Sequence, residues 1–178
     1  MSEAVREDKA FQMACRQVGQ FLYHFSLLER ELDNGIGKLL GIETGAVDIV
    51  TANIDFARKV NILFSAEDYK AEMPDKIRKK LLKETFKAIM CLNDKRKIVA
   101  HCPFSPGEQQ SEVIFRRATA SKRLQVEDVK WSDPQFQSAF AEAEKTTANL
   151  RRIIDEMVPY TAKFDFSDPR NSGYIAIV

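Results

Sequence analysis

The strongest constraint on this chain is an apolar stripe at helical spacing that runs along its N-terminal segment. Phe11, Cys15, Val18, Leu22, Phe25, Leu28, Leu32, Ile36 and Leu39 step by three and four. Such a stripe lines one face of a helix, and it predicts an amphipathic element from roughly Asp8 to Leu40 lying on a core. Arg16, Gln20, Arg30 and Glu31 fall between the apolar steps. Gly35, Gly37 and Gly41 weaken the last turns, and Gly41 is a natural stop. Glu29 and Glu31 are expected to be solvated or to serve in capping.

The same spacing predicts a second helix over about Ala46 to Phe64, with Ile49, Phe56, Val60 and Leu63 inward. Ser65 to Pro74 reads as a loop, and Pro74 suits the first turn of the helix that follows. That helix, about Asp75 to Ala100, carries Ile77, Leu81, Leu82, Phe86, Ile89, Met90 and Leu92 on its apolar side. It should end near His101-Cys102-Pro103, because a residue before proline is pushed out of the α region. The period then changes. Val113-Ile114-Phe115 and Leu124-Gln125-Val126 flank a polar connection from Ala118 to Arg123, which predicts a hairpin over about 112–130. Ser132-Asp133-Pro134 opens a last helix that buries Phe136, Phe140, Ala143, Leu150, Ile153, Ile154 and Met157 and stops at Pro159. The tail over 159–178 ends in an apolar Tyr-Ile-Ala-Ile-Val run that should pack somewhere, as an edge strand or across a partner.

These readings make the chain all-α, an antiparallel four-to-five-helix bundle with a small β-hairpin inserted before the last long helix. At 178 residues and 44% apolar it has the size and composition of a single domain, 1–178. No apolar run is long enough for a membrane span, and the N-terminus lacks the apolar region of a secretory signal. Cys15, Cys91 and Cys102 are odd in number with no CxxC pair, which suits free thiols in a reducing compartment. The expected location is cytoplasmic.

The near-zero net charge of +1 hides an asymmetry. Residues 75–97 hold nine basic groups against three acids, so that segment is +6 and the remainder −5. Lys76, Lys80, Lys83 and Lys87 recur at helical spacing and project from one stripe. Arg116, Arg117, Lys122 and Arg123 form a second cluster on the hairpin. Such a stripe fits either a solvated helix face or a surface that tracks a nucleic-acid backbone without reading its sequence.

Most catalytic templates are missing. The two histidines and three scattered cysteines have no zinc spacing, so no metal site is expected, and no cofactor motif appears. The remaining constellation is Asn93-Asp94-Lys95-Arg96-Lys97-Ile98-Val99-Ala100-His101-Cys102-Pro103-Phe104, an Arg and a His five residues apart at the end of a basic helix. Two readings fit. An imidazolium at a helix C-terminus is stabilised by the helix dipole and the unpaired carbonyls. Alternatively, the pair carries chemistry.

The run Arg96-Lys97-Ile98-Val99-Ala100-His101-Cys102-Pro103-Phe104 resembles the Arg-Asn-x-x-Ala-His-x-x-(aromatic) signature of HEPN domains, helical proteins of prokaryotic defence and toxin–antitoxin systems. Phe25-Ser26-Leu27-Leu28-Glu29 resembles their Phe-Ser-x-x-Glu, and Phe56-Ala57-Arg58-Lys59-Val60 their second-helix pattern of a lysine before an apolar run. Lys97 stands where the family usually has Asn, His or Asp, and Pro103 where one toxin branch carries a Tyr. The resemblance implies metal-independent RNA cleavage by attack of a 2′-hydroxyl on the adjacent phosphate. His101 would move protons and Arg96 would hold the developing charge. Asn93, Asp94, Lys95, Lys97 and Lys87 are the expected RNA-contacting residues. Five residues on one helix set two side chains about 140° apart, so one chain should present the pair awkwardly. The family's answer is a homodimer with a shared cleft, and the resemblance also implies RNA and an antitoxin or other partner protein as candidate partners. The rival expectation is a non-catalytic interaction module whose basic helix binds nucleic acid or an acidic partner.

Overall fold

The computed structural model describes residues 3–70, 76–109, 111–121 and 123–157. The chain is mostly helical, with a small antiparallel sheet before the last helix. In order, α1 is Glu3–Leu40, α2 Thr44–Thr51, α3 Phe56–Lys70 and α4 Lys76–His101. The strands β1 Phe104–Pro106, β2 Val113–Ser121 and β3 Arg123–Trp131 follow, and then α5 Asp133–Asp155. The expected tail over 159–178 lies outside the described residues. No helix among them is long and apolar enough to cross a membrane.

Local signals explain the ends of the elements. Gly41 takes φ 66°, its N–H reaches the Lys38 carbonyl, and the Ile42 N–H reaches the Gly37 carbonyl at 2.9 Å. That left-handed closure satisfies the last carbonyls of α1 at little cost for glycine. Ser132 precedes α5, and its N–H donates to Gln135 Oε1 at 2.7 Å, half of a capping box.

The expected second helix is two helices. Asp55 breaks it by capping α3: its Oδ1 accepts the Arg58 N–H at 3.0 Å and its carbonyl the Lys59 N–H. The break changes the helical phase. Phe56, Val60 and Leu63 are buried as expected, but Ile49 on α2 is 78% exposed. The loop expected from Ser65 is helical through Lys70. The hairpin spans Val113 to Trp131, close to the expected bounds, but the polar connection expected from Ala118 to Arg123 is strand on both sides, so the strands are longer than expected, and β1 is an additional strand.

Side-chain contacts give the helix directions. Along α1, Gln17 meets Asp133 at the start of α5, Glu31 meets Arg151, and Lys38 Nζ donates to the carbonyls of Ile154 and Asp155 at its end. Phe56 tilts against Phe25, and Lys59 reaches Glu29 and Asp33. So α1, α3 and α5 run the same way, and α2 returns the chain between α1 and α3. Arg78 near the start of α4 holds Glu67 of α3 and Glu156 after α5, while Lys95 near its end pairs with Glu142. α4 therefore runs against the other three, so the antiparallel arrangement expected of the whole bundle holds only for α4, because α2 carries the chain back before α3 begins.

The core is a continuous cluster that includes Phe21, Phe25, Leu28, Leu32, Val60, Leu63, Ile89, Leu92, Phe136 and Leu150. At the end of α1 where the sheet sits, Phe115 and Trp131 insert between the strands and the helices, with Trp131 edge-on to Phe21, Phe115 and Phe136. The buried stripe of α1 here runs through Ala14, Val18 and Phe21, whereas Phe11 is 52% exposed and stacks on Phe104.

Candidate functional site

α4 ends at His101, and the chain turns directly into β1. The Cys102 N–H closes on the Ile98 carbonyl at 3.0 Å, and the Pro103 carbonyl accepts the Arg116 N–H at 2.9 Å. That second bond ties β2 to the end of the helix and sets the base of the hairpin beside His101. Between them lies an open groove of about 860 Å³, lined by residues of α4 that include Asp94, Lys97 and His101 and by Arg116, Arg117 and Ala118 of β2.

Arg96 and His101 come together within one chain. Arg96 Nη1 is 3.2 Å from His101 Nε2, contrary to the separation expected from their angular spacing. The angle describes where Cβ atoms leave the helix. An arginine long enough to run along the helix surface, and an imidazole on the last residue, are not held to it. Arg96 is half-buried because its guanidinium carbon lies 5.8 Å from the ring centroid of Phe25 on α1. His101 is exposed. A guanidinium has no acceptor, so the contact requires Nε2 to be the unprotonated ring nitrogen, with Arg96 donating.

The other expected RNA-contacting residues divide. Asp94 and Lys97 line the groove and pair with each other at 2.9 Å, and Lys95 lines it while its ammonium engages Glu142. Lys87 is exposed, and helical spacing sets it in line with Cys91 and Asp94 on the groove side. Asn93 is 4% exposed and faces the interior, so its place is in the packing of α4. All three cysteines are free. Among the described residues, no group of three or more His, Cys, Asp or Glu is placed to hold a metal ion.

Two features were missed in the sequence. Phe25 supports Arg96 from a helix distant in the chain. Glu29 and Glu31 are neither solvated nor capping residues: Glu31 holds Arg151, and Glu29 shares Lys59 with Asp33. Lys59 is 5% exposed, and its Nζ lies 3.1 Å from Glu29 Oε1 and 2.9 Å from Asp33 Oδ1. Burial pulls its pKa down, but hydrogen bonding to Asp33 and Glu29 and their negative charges outweigh that, holding it above the ordinary 10.5. A lysine inside an apolar run, Phe56 to Phe64, was the available signal. Compared with known proteins, the chain matches no family model, no curated protein and no solved structure.

Proposed function

We propose that this chain is a metal-independent endoribonuclease of a defence or toxin–antitoxin type, with Arg96 and His101 as its catalytic pair and a second copy completing the site. The observation that carries the reading is the 3.2 Å approach of Arg96 Nη1 to Nε2 of His101, an exposed histidine that lines a groove whose far wall presents Arg116 and Arg117. A base and a fixed cation within one hydrogen bond of each other are what cleavage through the 2′-hydroxyl needs.

A 2′-hydroxyl entering the groove displaces the guanidinium from Nε2 and donates its proton there. The freed oxygen attacks the adjacent phosphorus, and the bond to the 5′-oxygen breaks. The products are a 2′,3′-cyclic phosphate and a 5′-hydroxyl. The departing oxygen takes its proton from His101 of the second copy, which enters protonated, so the two imidazoles exchange roles over the cycle. Arg96, released from the histidine, turns to the phosphate and stabilises the charge on its oxygens. Arg116 and Arg117 hold the flanking backbone.

The reading is tested with total and transfer RNA in EDTA, wild type beside His101→Ala. Cleavage with cyclic phosphate ends in the wild type, reduced by about 10²–10⁴ in the variant, is the expected result. Equal cleavage by both overturns it. Cleavage by neither supports a second reading, a non-catalytic module, which is favoured by the exposed Lys76, Lys79, Lys80, Lys83 and Lys87 along α4.

A further inference from the structure

Phe11 is the exposed end of a ladder of rings. Phe115 is fully buried, and its ring centroid is 6.1 Å from that of Phe104. Phe104 is half-buried and in turn stacks with Phe11, their centroids 6.3 Å apart and their planes within 12° of parallel. Phe11 itself is 52% exposed. Parallel stacking covers one face of a ring, so at that exposure the other face of Phe11 meets solvent. The ring is also held in place, from α1 by its own backbone and from β1 by Phe104. A flat group that lies on it has no mobile side chain to order.

The ladder stands beside the candidate site. Phe104 opens β1 three residues after His101, so their Cα atoms are within about 11 Å of each other. Phe11 and Phe25 lie fourteen positions apart on α1, about four turns, and therefore on one side of it. Phe25 meets Arg96 and Phe11 meets Phe104, so that side of α1 runs past the Arg96–His101 pair toward the start of β1. Arg116 and Arg117 line the groove together with His101, and Arg96 does not. His101 thus stands between a cationic groove and an exposed aromatic ring. A single strand of nucleic acid asks for both, cations for its phosphates and flat apolar faces for its bases.

We propose that Phe11 is a stacking platform for an unpaired nucleobase of the RNA, close along the strand to the phosphate held at Arg96 and His101. The ligand rests on the ribonuclease reading above, and the ring adds the kind of RNA that fits. A base inside a duplex has both faces covered by its neighbours and cannot lie on Phe11, so the site takes single-stranded or looped RNA. Stacking uses the face of a base and not its edge, so recognition at this position tolerates any sequence.

Two short probes of equal length and charge test it, an oligomer of riboadenosine and a ribose-phosphate chain without bases. Binding is followed by fluorescence anisotropy with the His101→Ala chain, which prevents cleavage. That chain is expected to prefer the oligoadenylate by about tenfold or more. Adding Phe11→Leu, which keeps an apolar contact with Phe104 but has no flat face, removes most of the preference. It leaves the affinity for the probe without bases, and the salt dependence, unchanged. Adding Phe11→Trp keeps or raises the preference. The proposal is overturned by a preference that survives Phe11→Leu, by an equal loss for both probes, by a Phe11→Trp chain that loses the preference, or by an oligoadenylate that does not bind. Cleavage that depends on His101, measured with Phe11 intact, scores the ribonuclease reading separately. Stacking that depends on Phe11 without such cleavage overturns that reading alone, and such cleavage without the stacking overturns this proposal alone.

Discussion

Nη1 of Arg96 lies 3.2 Å from Nε2 of His101, and the same guanidinium sits over the ring of Phe25. The cation is thus positioned from both sides, by the imidazole it donates to and by the aromatic face beneath it. Lysine has one charge centre and no planar fork, so Arg96→Lys cannot keep both contacts. Under the ribonuclease reading this variant is expected to cleave about 10²-fold more slowly. Phe25→Leu, which removes the ring beneath Arg96 together with its core contact to Phe56, is expected to slow cleavage of the folded protein by a few-fold, in keeping with a cation–π contact of about 0.5–1 kcal/mol. Single-turnover rates on one defined RNA separate the two, and a Phe25→Leu chain with unchanged rate shows that the ring positions nothing.

The groove wall formed by β2 makes a prediction of its own. Arg116 is exposed, and its backbone is fixed by the Pro103 carbonyl, so its side chain is presented without distorting the hairpin. Arg116→Ala is expected to lower the slope of log affinity against log salt for single-stranded RNA by about 0.7, the contribution of one phosphate contact. Fluorescence anisotropy at several salt concentrations, with the His101→Ala chain to prevent cleavage, measures it.

Lys59 is the most consequential buried charge. Replacing it with Met leaves Glu29 and Asp33 facing each other without their counter-ion, which is expected to cost about 3 kcal/mol. Because its folded pKa is raised, the stability it contributes is fully present below the unfolded value of 10.5 and is lost as pH rises through the higher folded value. Urea unfolding followed from neutral pH to above that range should show this alkaline loss in the wild type. The loss should be absent in Lys59→Met and displaced to higher pH in Lys59→Arg.

Gly37 is required by packing. A Cβ there would run into Cγ2 of Val47, which is itself buried. Gly37→Ala gains about 1 kcal/mol in helix propensity, but the overlap is expected to cost more, for a net destabilisation of about 1–2 kcal/mol. Val47→Ala makes room, so the double variant should be more stable than the sum of the two single changes predicts. A double-mutant cycle by thermal or denaturant unfolding measures that coupling.

The sheet leans on the helices through one aromatic cluster. Phe115, fully buried, contacts Phe104, Trp131 and Phe136. Phe115→Ala is expected to cost about 3–5 kcal/mol. Hydrogen exchange should accelerate in β2 and β3 before it does in α1, because the lost contacts anchor the strands to the helices.

The sequence by itself determined where α1, α4, the hairpin and α5 lie and how several of them stop. Periods of 3.6 and 2, a glycine after α1, and a Ser132-Asp133-Pro134 start with Gln135 following are local patterns that act over a few residues. The spacing of Arg96 and His101 was legible in the same way. Tertiary structure decided which side of each stripe is buried, because burial depends on what arrives from elsewhere in the chain. Phe11 meets Phe104 and stays half in solvent, and Ile49 faces outward on α2, which ends at Thr51 before α3 starts afresh behind Asp55. Tertiary structure also brought Lys59 to Glu29 and Asp33 and set Phe25 beneath Arg96. Those contacts join helices distant in the chain, and an angular rule that places Cβ atoms on one isolated helix does not describe them.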